Sequence, residues 1–201
     1  MEREEVQSIV VASLALAVAF TIAFRDGALG ILDTPVDVML RVLVFSIITV
    51  SLSFILHELG HRQLARRFGA YAEFRKWNTG LALALFFSLF GFVFAAPGAV
   101  VIHSRADLWG KIANITRRRM GLISLIGPVI NIILAFAFAS LLLIAPELFL
   151  VASFGFTINA WLAFFNLLPI PPLDGSKVFL WDKRIWLGAI AVSGAMVFVG
   201  F

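Results

Sequence analysis

The chain has 201 residues, 61% of them hydrophobic and only 14% charged, against about 25% charged residues in an ordinary soluble domain, so a soluble globular fold is excluded and one membrane bundle, without room for a second folded domain, is expected. The formal charge is +4, but the basic residues sit between apolar runs, where they act as topology determinants and not as a nucleic-acid surface. With no cysteine, disulfides and thiolate ligands are excluded, and any metal must be held by histidine and carboxylate.

A helix needs roughly 20 apolar residues to cross a hydrocarbon core. The first such run, 6–24, follows an acidic start without a small-residue cleavage site, which marks a retained span and not a signal peptide. A short loop with Asp26, Asp33, Pro35 and Asp37 leads to a second span, 38–68, which ends among Arg62, Arg66 and Arg67. After a polar stretch, 81–102 is apolar but broken by Gly91, Pro97 and Gly98. A basic stretch containing Arg117, Arg118 and Arg119 precedes spans at 120–145 and 149–168, and a last one covers 185–201. Trp77, Trp109, Trp181 and Trp186 fit interfacial anchors. The expected fold is an all-α polytopic membrane protein of five to six membrane segments. It forms one domain over 1–201, with a re-entrant or short β element between the second and third full spans.

Counting crossings tests that arrangement. With the arginine-rich end of the second span placed in the cytoplasm, a single crossing by 81–102 would put Arg117–Arg119 outside. It would also put Asp174 on the face opposite His57. If the segment enters and returns, both basic stretches stay inside and Asp174 shares a face with the histidines. Broken backbone of this kind is tolerated at membrane depth where protein or water shields it.

The run His57-Glu58-Leu59-Gly60-His61 sets two imidazoles one helical turn apart on one face. Such a pair holds a zinc ion, and the adjacent Glu58 reaches a zinc-bound water as general base. Ionisable groups inside an apolar span are costly and are usually functional. A catalytic zinc takes a third protein ligand and keeps one position open. His103 reads as interfacial, Glu73 and Asp107 lie in basic loops, Glu147 lies at the opposite face, and Asp182 is flanked by Trp181 and Lys183. Asp174 follows a span closely on the correct face, in a Pro-rich turn closed by Gly175, and is the leading third ligand.

His57-Glu-Leu-Gly-His61, the later Asn166-x-x-Pro169-x-Pro171-x-Leu173-Asp174-Gly175 run, and Gly127-Pro128-x-x-Asn131 between them together resemble the site-2 protease family of intramembrane metalloproteases. The resemblance covers the central three spans and their loops. It implies zinc completed by Asp174, water activated by Glu58, and cleavage of a transmembrane protein substrate in regulated intramembrane proteolysis. The region 80–101 is similar to the family's membrane-associated strand or re-entrant element, which helps present an unwound substrate. Lacking an evident inserted PDZ domain, the chain looks like a minimal member of prokaryotic or archaeal type. It is expected to be a multi-pass cell-membrane protein with its active site toward the cytoplasm.

Asn166 and Asn131 are candidate donors to the substrate carbonyl oxygen, with interhelical hydrogen bonding as the other reading of each. Gly127-Pro128 reads as a packing or bending device. A membrane zinc protease taking its third ligand from a later glutamate finds no such helical acidic motif here. The alternative outside enzymes is a transporter or ion or proton conduit lined by buried His and Asp, which leaves Glu58 unexplained.

Overall fold

The computed structural model describes residues 3–103 and 115–199; Trp109 and Asp107 lie outside them. Among the described residues, four helices are long and apolar enough to cross a membrane. These are α1 (Arg3–Ala23), α3 (Val36–Arg67), α5 (Arg117–Ile144), and α6 (Phe149–Asn166), which a 3-10 turn at Pro146–Leu148 precedes. Between them come α2 (Gly27–Leu32), β1 (Tyr71–Lys76), α4 (Asn78–Ser88) and β2 (Gly98–His103), and the chain continues into α7 (Asp174–Trp181) and α8 (Lys183–Val199).

The distribution of side chains is that of a protein solvated by lipid. On α3, Ser46, Thr49, Ser53 and His57 are buried, while Leu40, Val44, Ile48 and Leu52 on the opposite face are exposed. On α1 the same division sets Ile9, Ala12, Leu16 and Phe20 inward and Val10, Leu14 and Val18 outward. Without an aqueous driving force between helices, close approach comes from small side chains, and Ala12, Ala17, Ala84, Ala95 and Ala96 serve this in the main core cluster. Gly60 lies so close to Ile130 that a Cβ there would overlap it, which brings the metal-motif face of α3 against α5.

The four long helices begin and end within three residues of the apolar runs 6–24, 38–68, 120–145 and 149–168. The polar stretch after the second span, however, contains a strand that hydrophobic patterning did not reveal. β1 pairs antiparallel with β2 in a two-stranded sheet whose register runs from Tyr71↔His103 to Lys76↔Gly98. Trp77 N–H donates to Pro97 O at 2.7 Å and continues the ladder. Residues 77 and 97 therefore lie side by side, and the chain between them leaves the sheet through α4 and comes back extended. The outer tip of this excursion meets the first turn of α2, where Ala28 N–H donates to Leu89 O at 2.9 Å. On the returning limb, the Trp161 indole donates to Val93 O at 2.9 Å, satisfying a backbone group that has no ladder partner.

Glu5 ties this sheet to the bundle. Its Oε1 accepts from Phe74 N–H at 3.2 Å, and its Oε2 pairs with Arg62 Nη2 at 3.1 Å. Both side chains are largely buried. One carboxylate thus joins the start of α1, the residue after His61, and the outer edge of β1.

Candidate metal centre

One turn of α3 aims His57 and His61 at α5, and the turn after α6 delivers Asp174 to the same point. The Leu167–Leu173 segment is folded back tightly enough that a Cβ at Gly175 would overlap the carbonyl of Leu167. Trp186 of α8 also donates to that carbonyl at 2.8 Å. Asp174 then opens α7 with its Oδ2 3.0 Å from His61 Nε2 and 3.4 Å from His57 Nε2. The two Nε2 atoms are 2.9 Å apart. Among the described residues, His57, His61 and Asp174 are the group able to share a metal ion.

These separations fit zinc. Tetrahedral ligands at 2.0–2.2 Å from the ion stand about 3.3 Å from one another, close to the spacings found. Proton placement agrees. His57 Nδ1 faces Asn131 Oδ1 at 2.5 Å and His61 Nδ1 faces the Ile123 carbonyl at 2.5 Å. Both partners accept, so both imidazoles donate from Nδ1 and turn bare Nε2 lone pairs inward. Two lone pairs and a carboxylate oxygen at such range repel one another unless a cation lies among them. Lys177 Nζ lies 3.5 Å from Oδ1, which leaves Oδ2 for the metal.

Gly127 has a more direct role than a general packing device. A Cβ there would overlap the Nε2 atoms of both histidines, so only glycine leaves the metal position open. Glu58 and His61 line a cavity of about 150 Å³ with Asn166, Asp174 and Lys177, and Gly98, Val100 and Ile102 of β2 form a wall. Glu58 is buried, and its Oε2 has no hydrogen-bond partner among the described residues. Asn166, which donates to Leu162 O at 2.9 Å, lines the cavity.

Asn131 stands elsewhere than expected for a substrate donor. It is fully buried, with its oxygen on His57 and its amide N–H on Asn159 Oδ1 at 2.9 Å. Of the other acids weighed in the sequence, Glu73 pairs with Arg75, Asp182 caps α8 through Arg184 N–H at 2.8 Å, and Glu147 lies in the 3-10 turn. His103 closes β2 opposite Tyr71. The sequence reading missed Asn159, Lys177, Glu5 and the Ile123 carbonyl. Of these, Lys177 carried a usable signal, a cation three residues beyond a ligand carboxylate on a helix.

Two proteins of similar sequence bear on this geometry. One from Methanocaldococcus jannaschii, named "Putative zinc metalloprotease MJ0611", is 39% identical over 195 residues, covering 89% of this chain and 98% of the relative. One from Bacillus subtilis, named "Putative zinc metalloprotease YwhC", is 32% identical over 158 residues, covering 69% of each. No family model matches the chain, and no solved structure does.

Proposed function

The chain belongs to the same zinc metalloprotease family as these two relatives, and on that premise we propose that it is an intramembrane endopeptidase of the site-2 protease type, cutting transmembrane segments of membrane proteins. The observation that carries this reading is position. His57 lies nine residues before Arg66 on a helix long and apolar enough to span a membrane, about 14 Å along the axis, which supports a site within the span and not on a soluble domain. Arg66, Arg67, Arg117, Arg118 and Arg119 at the helix ends nearest His61 support an opening toward the cytoplasm. Residues 77–97 act as a re-entrant element that enters and leaves on this same side.

Held by His57, His61 and Asp174, zinc would supply a water of lowered pKa and polarise the scissile carbonyl. The chain's own residues do the rest. Glu58 takes the proton from the attacking water and passes it to the departing amine, a role worth roughly 10²–10⁴ in rate. Asn166, at the cavity wall, is placed to donate an N–H to the carbonyl oxygen as it gains charge.

A peptide bond in a helix is covered and must be drawn out before attack, and β2 offers the template. Because Trp77↔Pro97 is a hydrogen-bonded pair and Phe74 N–H points away to Glu5, alternation along the ladder turns the backbone groups of Gly98, Val100 and Ile102 outward. Those three residues wall the cavity. The outer edge of β1 is closed by Glu5, so β2 is the edge open to strand addition.

The test is mass analysis of products after the purified protein in detergent is mixed with a single-span protein. Chelator-sensitive cuts within the apolar stretch are expected. Cuts confined to its soluble flanks would overturn the intramembrane part of the reading and leave the metalloprotease intact.

A further inference from the structure

Beyond the ligands and the base, a fully buried amide on α6, away from the cavity, bears on the metal. Asn159 Nδ2 donates to the Gly155 carbonyl at 2.8 Å, and Asn159 Oδ1 accepts from Asn131 Nδ2 at 2.9 Å. Asn131 Oδ1 in turn meets His57 Nδ1 at 2.5 Å. Asn131 and Asn159 are both 0% exposed, so no solvent competes for their hydrogen-bonding groups. The line of contacts runs from α6 through α5 to α3.

The direction of this relay is set at one end. A backbone carbonyl only accepts, so Asn159 must turn its NH₂ to Gly155 and its oxygen to Asn131. Asn131 must then offer its NH₂ to Asn159, which leaves its oxygen for His57. An oxygen facing Nδ1 requires the proton on Nδ1 and leaves the Nε2 lone pair pointing at the metal position. Were Asn159 replaced by a side chain without an acceptor, Asn131 Nδ2 would keep only its long 3.5 Å contact to the Ser53 carbonyl, and Asn131 could rotate and present NH₂ to His57. That would favour the other tautomer, with a proton on the metal-binding nitrogen. His61 does not depend on this line, because its Nδ1 is fixed by the Ile123 carbonyl.

We infer that Asn159 is a positioning residue for the metal centre, acting through Asn131 to hold His57 in its metal-binding tautomer and orientation. The inference rests on the zinc-metalloprotease reading. Outer-shell partners of metal-bound histidine typically change affinity by about 10- to 100-fold, and Asn159, one residue further out, is expected near the lower figure.

The test measures zinc affinity by chelator competition, and the absorption spectrum with cobalt in place of zinc, for purified wild type, Asn159→Leu, Asn131→Ala and the double variant. Asn159→Leu is expected to weaken zinc binding about 10-fold and alter the cobalt spectrum. In the Asn131→Ala background, Asn159→Leu should cost no further affinity, since coupled residues are non-additive. Additive losses, or wild-type affinity and spectrum in Asn159→Leu, would overturn the inference while the metalloprotease reading stands. Failure of wild type to bind zinc or cobalt would overturn both.

Discussion

At the residue scale, the centre depends as much on what is missing from a side chain as on what is present. His57, His61 and Glu58 were legible because a helix repeats every 3.6 residues, so their spacing alone implies a shared face. Asp174 was legible only after the crossings had been counted. Gly127 shows the limit of such reading. It registered as a packing residue, and its role emerges only when α5 is seen lying across both imidazoles. Gly127→Ala should therefore weaken zinc binding by at least about 10-fold, on the scale of other disturbances to a metal's surroundings. Gly188→Ala, where a Cβ would meet nothing within 4 Å, should leave the zinc content of the purified protein unchanged.

The Ile123 carbonyl has no sequence signature, because every residue carries one. Asn159 looked like any amide in a span until its two neighbours were placed.

At the scale of elements, the sheet is the part that hydrophobic patterning resolved least. Tyr71–Lys76 is a short, half-exposed strand whose burial follows its single partner, so it carries neither a long apolar run nor a full alternation. The interrupted 81–102 segment was recognisable as broken from Gly91, Pro97 and Gly98. Its division into helix, extended limb and strand was not, because pairing with β1 decides it. The open edge of β2 gives a prediction specific to one backbone atom. Val100→Pro removes an outward N–H and leaves the inner ladder intact, as proline at an edge permits. It should lower kcat/KM for a single-span substrate and retain zinc. Ala99→Pro removes an inward N–H from the ladder, and should instead disturb the sheet itself, read as lower thermal stability.

Over the whole molecule, the start of α1 is held to the site by a buried ion pair that composition disguised. Glu5 lies in an acidic terminal run that suggests a solvated interface, yet it reaches Arg62 and Phe74. Removing one partner of a buried pair leaves the other charge uncompensated, at about 3–5 kcal/mol. Glu5→Ala should therefore lower the unfolding temperature in detergent clearly. Asp37→Ala, which breaks an exposed pair with Arg41, should change stability by under about 1 kcal/mol.

The central claim joins two roles that one substitution each can separate: His57, His61 and Asp174 hold zinc, and Glu58 moves the proton. Its most direct test is zinc content and cleavage of a single-span substrate measured side by side for purified wild type, Glu58→Gln and Asp174→Ala. The account predicts one zinc per chain in wild type and in Glu58→Gln, with cleavage reduced at least about 100-fold in the latter, and loss of both zinc and cleavage in Asp174→Ala. Full cleavage by Glu58→Gln would contradict the role of Glu58, and a wild type that takes up no zinc when supplied with it would contradict the account and favour a conduit lined by the same buried groups.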